Sequence, residues 1–134
     1  MSGITAQRLT LRGRRKAESL MVDECAITRV TGTVDNPDGT VTKTTTTVYD
    51  GKCRIQTYDP YERKSAVADV ETTIRRDVLQ IPMSVTGVAT GDEVTVTASQ
   101  LDSDLIGRVW RVAGPSRKTH MTMRRLYIEE VTQP

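Results

Sequence analysis

Phenylalanine is absent from this 134-residue chain, and its aromatic set is limited to Tyr49, Tyr58, Tyr61, Trp110 and Tyr127. Aromatic side chains supply the largest buried area per residue, so any core must be built from Val, Ile, Leu, Met and Thr. Only two cysteines are present, Cys25 and Cys53. That is too few for a disulfide scaffold and fits a reducing compartment. No apolar run approaches the roughly 20 residues of a bilayer crossing, and the N-terminus lacks the apolar segment of a secretory signal. Histidine occurs once, at His120. These shortages exclude a membrane-spanning helical protein, a collagen, a coiled coil and a secreted mini-protein.

What the chain has in quantity is Thr (21 residues) and Val (15 residues). Both are β-branched and favour strands. A core this thin leaves part of its stability to be found in neighbouring subunits. Charge is also unevenly placed beneath a net +2. Residues 1–17 carry +5 with no acid, residues 18–107 carry −7, and residues 108–125 carry +6 with no acid. Blocks of one sign mark interaction surfaces, and opposite blocks in one chain can complement each other between identical subunits.

Residues 4–21 predict one helix. Leu9, Gly13, Ala17, Leu20 and Met21 form its apolar stripe, and Arg8, Arg12, Arg15 and Lys16 take the remaining faces. Its small apolar face and lack of an aromatic anchor argue against a membrane-surface role. Strand and turn signals follow. Residues 25–30 predict a buried strand, Asn36-Pro37-Asp38-Gly39 a turn, and Asp50-Gly51 a second tight turn. Between them, residues 40–49 have strand propensity with almost nothing to bury, as in a projecting arm or an edge covered by another chain. Cys53 and Ile55 alternate inward, and residues 58–64 contain Pro60 and no core period, which predicts a loop. Residues 66–70 and 72–81 predict two further strands. Residues 94–98, 108–112 and 126–131 supply three more. The expected organisation is a helix over 1–21 and a β-domain over 22–134 carrying an arm at 31–50 and a loop at 57–65. Short strands after one helix indicate an antiparallel barrel or sandwich.

Catalytic and metal-binding patterns are missing from the sequence. His120 has no acid near it in sequence, no serine sits in a Gly-x-Ser-x-Gly elbow, and no phosphate-binding glycine loop occurs. The cysteines lack CxxC spacing. Asp102 and Asp104 are paired acids of the kind usually left to solvent, with a calcium site as the alternative. An enzyme is therefore not expected. Trp110 between Arg108 and Arg111 suggests either a core residue or the platform of a nucleic-acid-binding barrel that also uses the basic tract at 108–125.

The order of segments resembles a known family. Gly13-Arg14-Arg15-Lys16-Ala17-Glu18-Ser19-Leu20-Met21-Val22-Asp23 leads into Cys25-Ala26-Ile27-Thr28-Arg29. Tyr49-Asp50-Gly51-Lys52-Cys53-Arg54-Ile55-Gln56 follows, then Gly91-Asp92-Glu93-Val94-Thr95-Val96-Thr97-Ala98-Ser99. Gly107-Arg108-Val109-Trp110-Arg111-Val112 and Arg124-Arg125-Leu126-Tyr127-Ile128-Glu129-Glu130-Val131 complete the series. Together they resemble the head-to-tail connector proteins, of the stopper or head-closure type, of long-tailed phages infecting actinobacteria.

The resemblance implies a small antiparallel β-barrel that assembles into a homo-oligomeric ring in the virion neck, of sixfold or twelvefold symmetry. Assembly would take place in the host cytoplasm. Such a ring sits beneath portal and adaptor proteins, holds packaged double-stranded DNA, and presents a surface to a tail terminator or tail tube. No catalysis, cofactor or membrane is implied; a terminator or adaptor ring is the neighbouring alternative. On this reading the helix docks on the adaptor or a sibling subunit through Leu9, Arg12, Arg15 and Leu20. Val41, Lys43, Thr45, Thr47 and Tyr49 are the intersubunit positions of the arm. The channel plug is expected in Tyr58, Asp59, Tyr61, Glu62 and Arg63, whose aromatics could pack around an axis, with Asn36–Gly39 as the other candidate.

Overall fold

The computed structural model describes residues 3–64 and 71–131. It contains one helix, α1 (Gly3–Ser19), and six strands: β1 (Asp23–Asp35), β2 (Val41–Lys64), β3 (Glu71–Ile81), β4 (Glu93–Ser99), β5 (Val109–Pro115) and β6 (Arg124–Glu130). All strand pairs are antiparallel, and the sheet closes in the order β1-β2-β3-β6-β5-β4, with β4 returning to β1. The mainly β, barrel-type expectation is met. Closure removes sheet edges within the barrel.

Period-two alternation explains the interior. The buried cluster takes Cys25 and Ile27 from β1, Cys53 from β2, Leu79 and Ile81 from β3, and Val94 and Val96 from β4. Trp110 and Val112 from β5 and Leu126 and Ile128 from β6 complete it, with Ile55 of β2 packed alongside. Each strand thus sends two side chains inward, and small β-branched groups fill a narrow barrel. At roughly 25 cal/mol per Å² of apolar surface removed from water, this interior is the main stabilising element. Trp110 is its one large member and is 3% exposed. Its indole Nε1 donates to the Asp77 carboxylate at 3.2 Å, and the Thr57 hydroxyl donates to the same carboxylate at 2.8 Å.

Two sequence expectations give way to the structure. Asp50 and Gly51 do not form a turn: they lie inside β2, opposite Ala26 and Cys25. Gly51 is required there because the Tyr49 ring lies over it; an added Cβ would come within 2.8 Å of the Tyr49 hydroxyl. That hydroxyl donates to the Lys52 carbonyl at 2.7 Å. Residues 57–64 are likewise not a loop but the end of β2, paired with β3 from Thr57↔Asp77 to Lys64↔Glu71. Pro60 is accommodated by a bulge: Tyr58 faces Arg76 and Tyr61 faces Ile74, so two residues oppose one. The strand expected at 66–70 lies outside the described residues.

Helix α1 rests on the segment joining β5 to β6. Arg14 Nε donates to the Met121 carbonyl at 3.0 Å, and an added Cβ at Gly13 would meet the Thr122 methyl at 2.7 Å. The Thr10 hydroxyl donates to the Ala6 carbonyl and lies 3.1 Å from His120 Nδ1. His120 takes a left-handed backbone (φ 60°) at this junction. Ala17 and Met21 are buried, and Glu18 pairs with Lys52 of β2 at 3.1 Å.

Candidate functional site

The sequence offered three candidate surfaces: the hairpin β1–β2, the segment 58–64, and the outer face of α1. The first is the best defined. β4 covers β1 only from Asp23 to Thr28, and β3 covers β2 only from Arg54 onward. Beyond the barrel the two strands continue as a ribbon, from Arg29↔Thr46 to Asp35↔Val41, with no strand paired to either edge among the described residues. Every residue from 29 to 47 is exposed except Asn36, which is partly covered. At about 3.4 Å per residue the ribbon reaches roughly 20 Å from the barrel wall.

Pairing assigns the faces of this arm. Val41, Lys43 and Thr45 stand with Asp35, Thr33 and Val30 on one face, and Thr42, Thr44 and Thr46 with Val34, Gly32 and Arg29 on the other. Thr47, opposite Thr28, remains exposed on the first face; Val48 is the extra residue of a bulge. Tyr49 is not part of the free arm: its ring packs against the barrel core, and burial above all pushes its phenol up to about 12. Val30, Val34 and Val41 remain open to solvent, Val41 at 57%.

Both ends of the arm are held. At its root Arg29 makes a two-bond clasp on Asp92, with Nε to Oδ1 and Nη2 to Oδ2 both at 2.9 Å, and Nη2 also donates to the Gly87 carbonyl at 2.6 Å. Asp92 is buried, and the Ala89 amide donates to it at 2.8 Å. Burial alone would raise its pKa; the Arg29 hydrogen bonds, the Ala89 amide and the Arg29 charge together outweigh that and hold it below the usual carboxylate range. At the tip, the Thr40 amide and hydroxyl both donate to Asp38 Oδ1, and the Asn36 side-chain amide donates to the Thr40 and Thr42 hydroxyls. These bonds from Thr40 lower the Asp38 pKa. Gly39 supplies the left-handed residue of the turn, at φ 88°.

Of the plug candidates, Tyr58, Asp59, Tyr61, Glu62 and Arg63 all lie on the β2–β3 ribbon rather than on a loop. β3 meets β6 only from Asp77 onward, so residues 58–64 and 71–76 form a second two-stranded extension. Because β2 is one continuous strand running from the tip of the first ribbon into the second, the two leave the barrel in opposite directions. Sequence reasoning missed this second ribbon. Residues 58–64 carry no apolar alternation in sequence, and Pro60 read as a strand breaker.

On α1, Leu9 is 56% exposed and Leu20 is half-exposed, while Arg12 and Arg15 are exposed between them. The docking positions are therefore open, but not as one apolar patch. The buried face runs through Gly13, Ala17 and Met21, and Leu11, which sequence reasoning did not single out, is as exposed as Leu9.

The remaining groups are occupied structurally. Cys25 and Cys53 are free, buried thiols, and a hydrogen bond to Cys25 together with burial pushes the Cys53 thiol up, away from thiolate character. Asp102 accepts from the Asp104 amide at 3.0 Å, capping the single 3₁₀ turn Ser103–Leu105. Arg108 clasps Asp104 and Glu130, both at 2.8 Å. Among the described residues no three His, Cys, Asp or Glu side chains gather as a metal site, and no helix is long and apolar enough to cross a membrane.

The described residues thus form a filled six-stranded barrel with a solvent-exposed β-ribbon held at its root and at its tip. The chain belongs to the family described as Family of unknown function (DUF6093), which it matches over residues 13–129. No curated protein matches it.

Proposed function

We propose that this chain is a structural subunit of a phage neck, a head-closure protein that forms a homo-oligomeric ring in the DNA channel after packaging and offers a surface to the tail. The observation that carries the reading is the β1–β2 ribbon. A ribbon with two free edges and two solvent-facing sides gains little within one subunit, yet it is clasped at its root and hydrogen-bonded at its tip. Such an element is suited to strand addition or to lying across a sibling barrel. A heterologous contact of that kind closes into a ring when its rotation divides the circle. The second ribbon, leaving the opposite end of the barrel, gives such a ring two kinds of projecting element, one of which could line the channel. The segment order described above supplies the phage context.

Trp110 does not favour the nucleic-acid-barrel alternative: with its indole buried and hydrogen-bonded to Asp77, it offers no face on which a base could stack. A terminator or adaptor ring of the same neck uses the same surface logic and differs in position. The test is to map side chains in the intact particle and, in parallel, to delete the gene. The head-closure reading expects a ring between portal and tail, and DNA-leaking heads beside unattached tails. Normal tailed particles lacking this chain would overturn it.

A further inference from the structure

A groove follows one flank of α1. Two adjoining hollows, of ≈ 380 and ≈ 370 Å³, share Leu11 and Arg14; Met83 and Ser84 close the first, and Thr119 and His120 the second. Leu11 lies open in this groove at 53% exposure. Arg15 lines its outer rim, and Arg8, seven residues earlier, follows within about 20° on the same side of the helix. Neither Arg8 nor Arg15 takes part in an ion pair among the described residues. The one acid among the lining residues, Glu18, is already paired with Lys52.

The far end of the β1–β2 ribbon carries the opposite pattern. Asp35 and Asp38 are exposed there, and neither is in an ion pair among the described residues. Val41, directly opposite Asp35, is 57% exposed. In its own subunit this end stands open to solvent, so its complement lies on another molecule.

We infer that the ribbon end of one copy seats in the α1 groove of a second copy, with Val41 on Leu11 and with Asp35 and Asp38 against the arginine rim. The inference rests on the ribbon being the element that joins subunits, and it names the surface that receives it. Ribbon end and groove are different patches, so the contact is heterologous and every copy offers both halves. Apolar side chains at the centre with charge around them are the arrangement of a protein interface, and opposite charges fix the register.

Shape selects the ribbon over the chain's other exposed acids. Glu24, Asp50 and Glu129 stand on the outer wall of the barrel, which is convex and cannot enter a groove. Glu24 also faces Lys52, and Glu129 faces Arg111, across strand pairs. Asp102 caps the 3₁₀ turn. Asp35 and Asp38 instead sit on an element that projects roughly 20 Å from that wall. A nucleic acid would engage the arginines but leave Leu11 and Val41 uncovered.

The test uses the full chain, with self-association read by light scattering for wild type, D35R, R15E and the double variant D35R/R15E. Each single reversal should raise the dissociation constant by roughly fivefold or more, since like charges then meet. The double variant restores opposite charge with the signs exchanged and should return to within about threefold of wild type. In a mixture of L11C chains and V41C chains, a short bismaleimide should join one of each. L9C, on the other flank of the helix, should not couple to V41C. The native thiols are buried and do not compete, and circular dichroism checks that every variant is folded. Single reversals within about twofold of wild type, or a double no better than the singles, overturn the inference. So does L9C coupling as well as L11C, or a chain that stays monomeric up to about 1 mM; the neck reading then stands on the particle map. Replacing residues 31–44 by Asn-Gly separates the groove from the ribbon. Self-association lost on that replacement but kept in R15E removes the groove and leaves the ribbon's joining role, whereas self-association that survives the replacement removes both.

Discussion

Trp110 and Asp92 are the two residues on which the molecule's polar interior turns. The Trp110 indole bonds Asp77 inside the barrel at 3.2 Å. Replacing it with Phe keeps most of the volume and removes the donor, so Trp110→Phe should cost about 1–3 kcal/mol, read as a lowered urea midpoint by circular dichroism. Asp92 holds the root of the arm through Arg29. Because its folded pKa lies below its unfolded value, its contribution is complete above the ordinary carboxylate range near pH 4 and is lost as pH falls through its folded value. Asp92→Asn should therefore lower the urea midpoint at neutral pH, and the gap to wild type should narrow as the medium is acidified below about pH 4. A gap that stays constant across that range would mean the Arg29 clasp contributes nothing through the Asp92 charge.

Among the elements, the β1–β2 ribbon separates folding from assembly most cleanly. Val30 and Thr45 are opposite each other, so replacing residues 31–44 by Asn-Gly leaves a short hairpin whose turn type suits its twist. The removed side chains are exposed apart from the partly covered Asn36. Barrel stability should thus change by no more than about 1 kcal/mol, with thermal melting by circular dichroism as the check. Light scattering of the same variant should show self-association lost if the ribbon joins subunits; unchanged assembly would remove the ribbon from that role. Helix α1 behaves differently, since one side of it is part of the fold. Ala17 and Met21 are buried and Gly13 lies against the Thr122 methyl, while the exposed residues of the helix are charged and polar apart from Leu9 and Leu11.

For the whole molecule, a single thin core closed by a barrel sets how much each accessory element matters. Deleting residues 1–20 removes Ala17 and the cover it shares with Met21 and Met121, both buried. The loss should be about 2–4 kcal/mol at the usual gain per buried apolar side chain, read from urea denaturation of the shortened chain. A loss below about 1 kcal/mol would mark α1 as an appendage rather than part of the barrel's stability.

Much of the fold was legible in the residues, because closed antiparallel sheets write a period of two into each strand that faces a core. Residues 25–27, 53–55, 79–81, 94–96, 110–112 and 126–128 carry that period, and α1 announced itself through Gly13, Ala17 and Met21. The turn at residues 36–39 and the arm behind it were readable from Pro37, Gly39 and a Thr-rich run with nothing to bury. Tertiary structure alone decided the rest. Asp50-Gly51 became strand because Tyr49 folds over the glycine, and residues 58–64 became a ribbon because pairing with β3 does not require an inward face. The Arg29–Asp92 clasp and the seating of α1 on the β5–β6 segment join positions 63 and about a hundred residues apart. Local pattern records which way a side chain faces; only closure of the chain on itself determines which distant charges become neighbours.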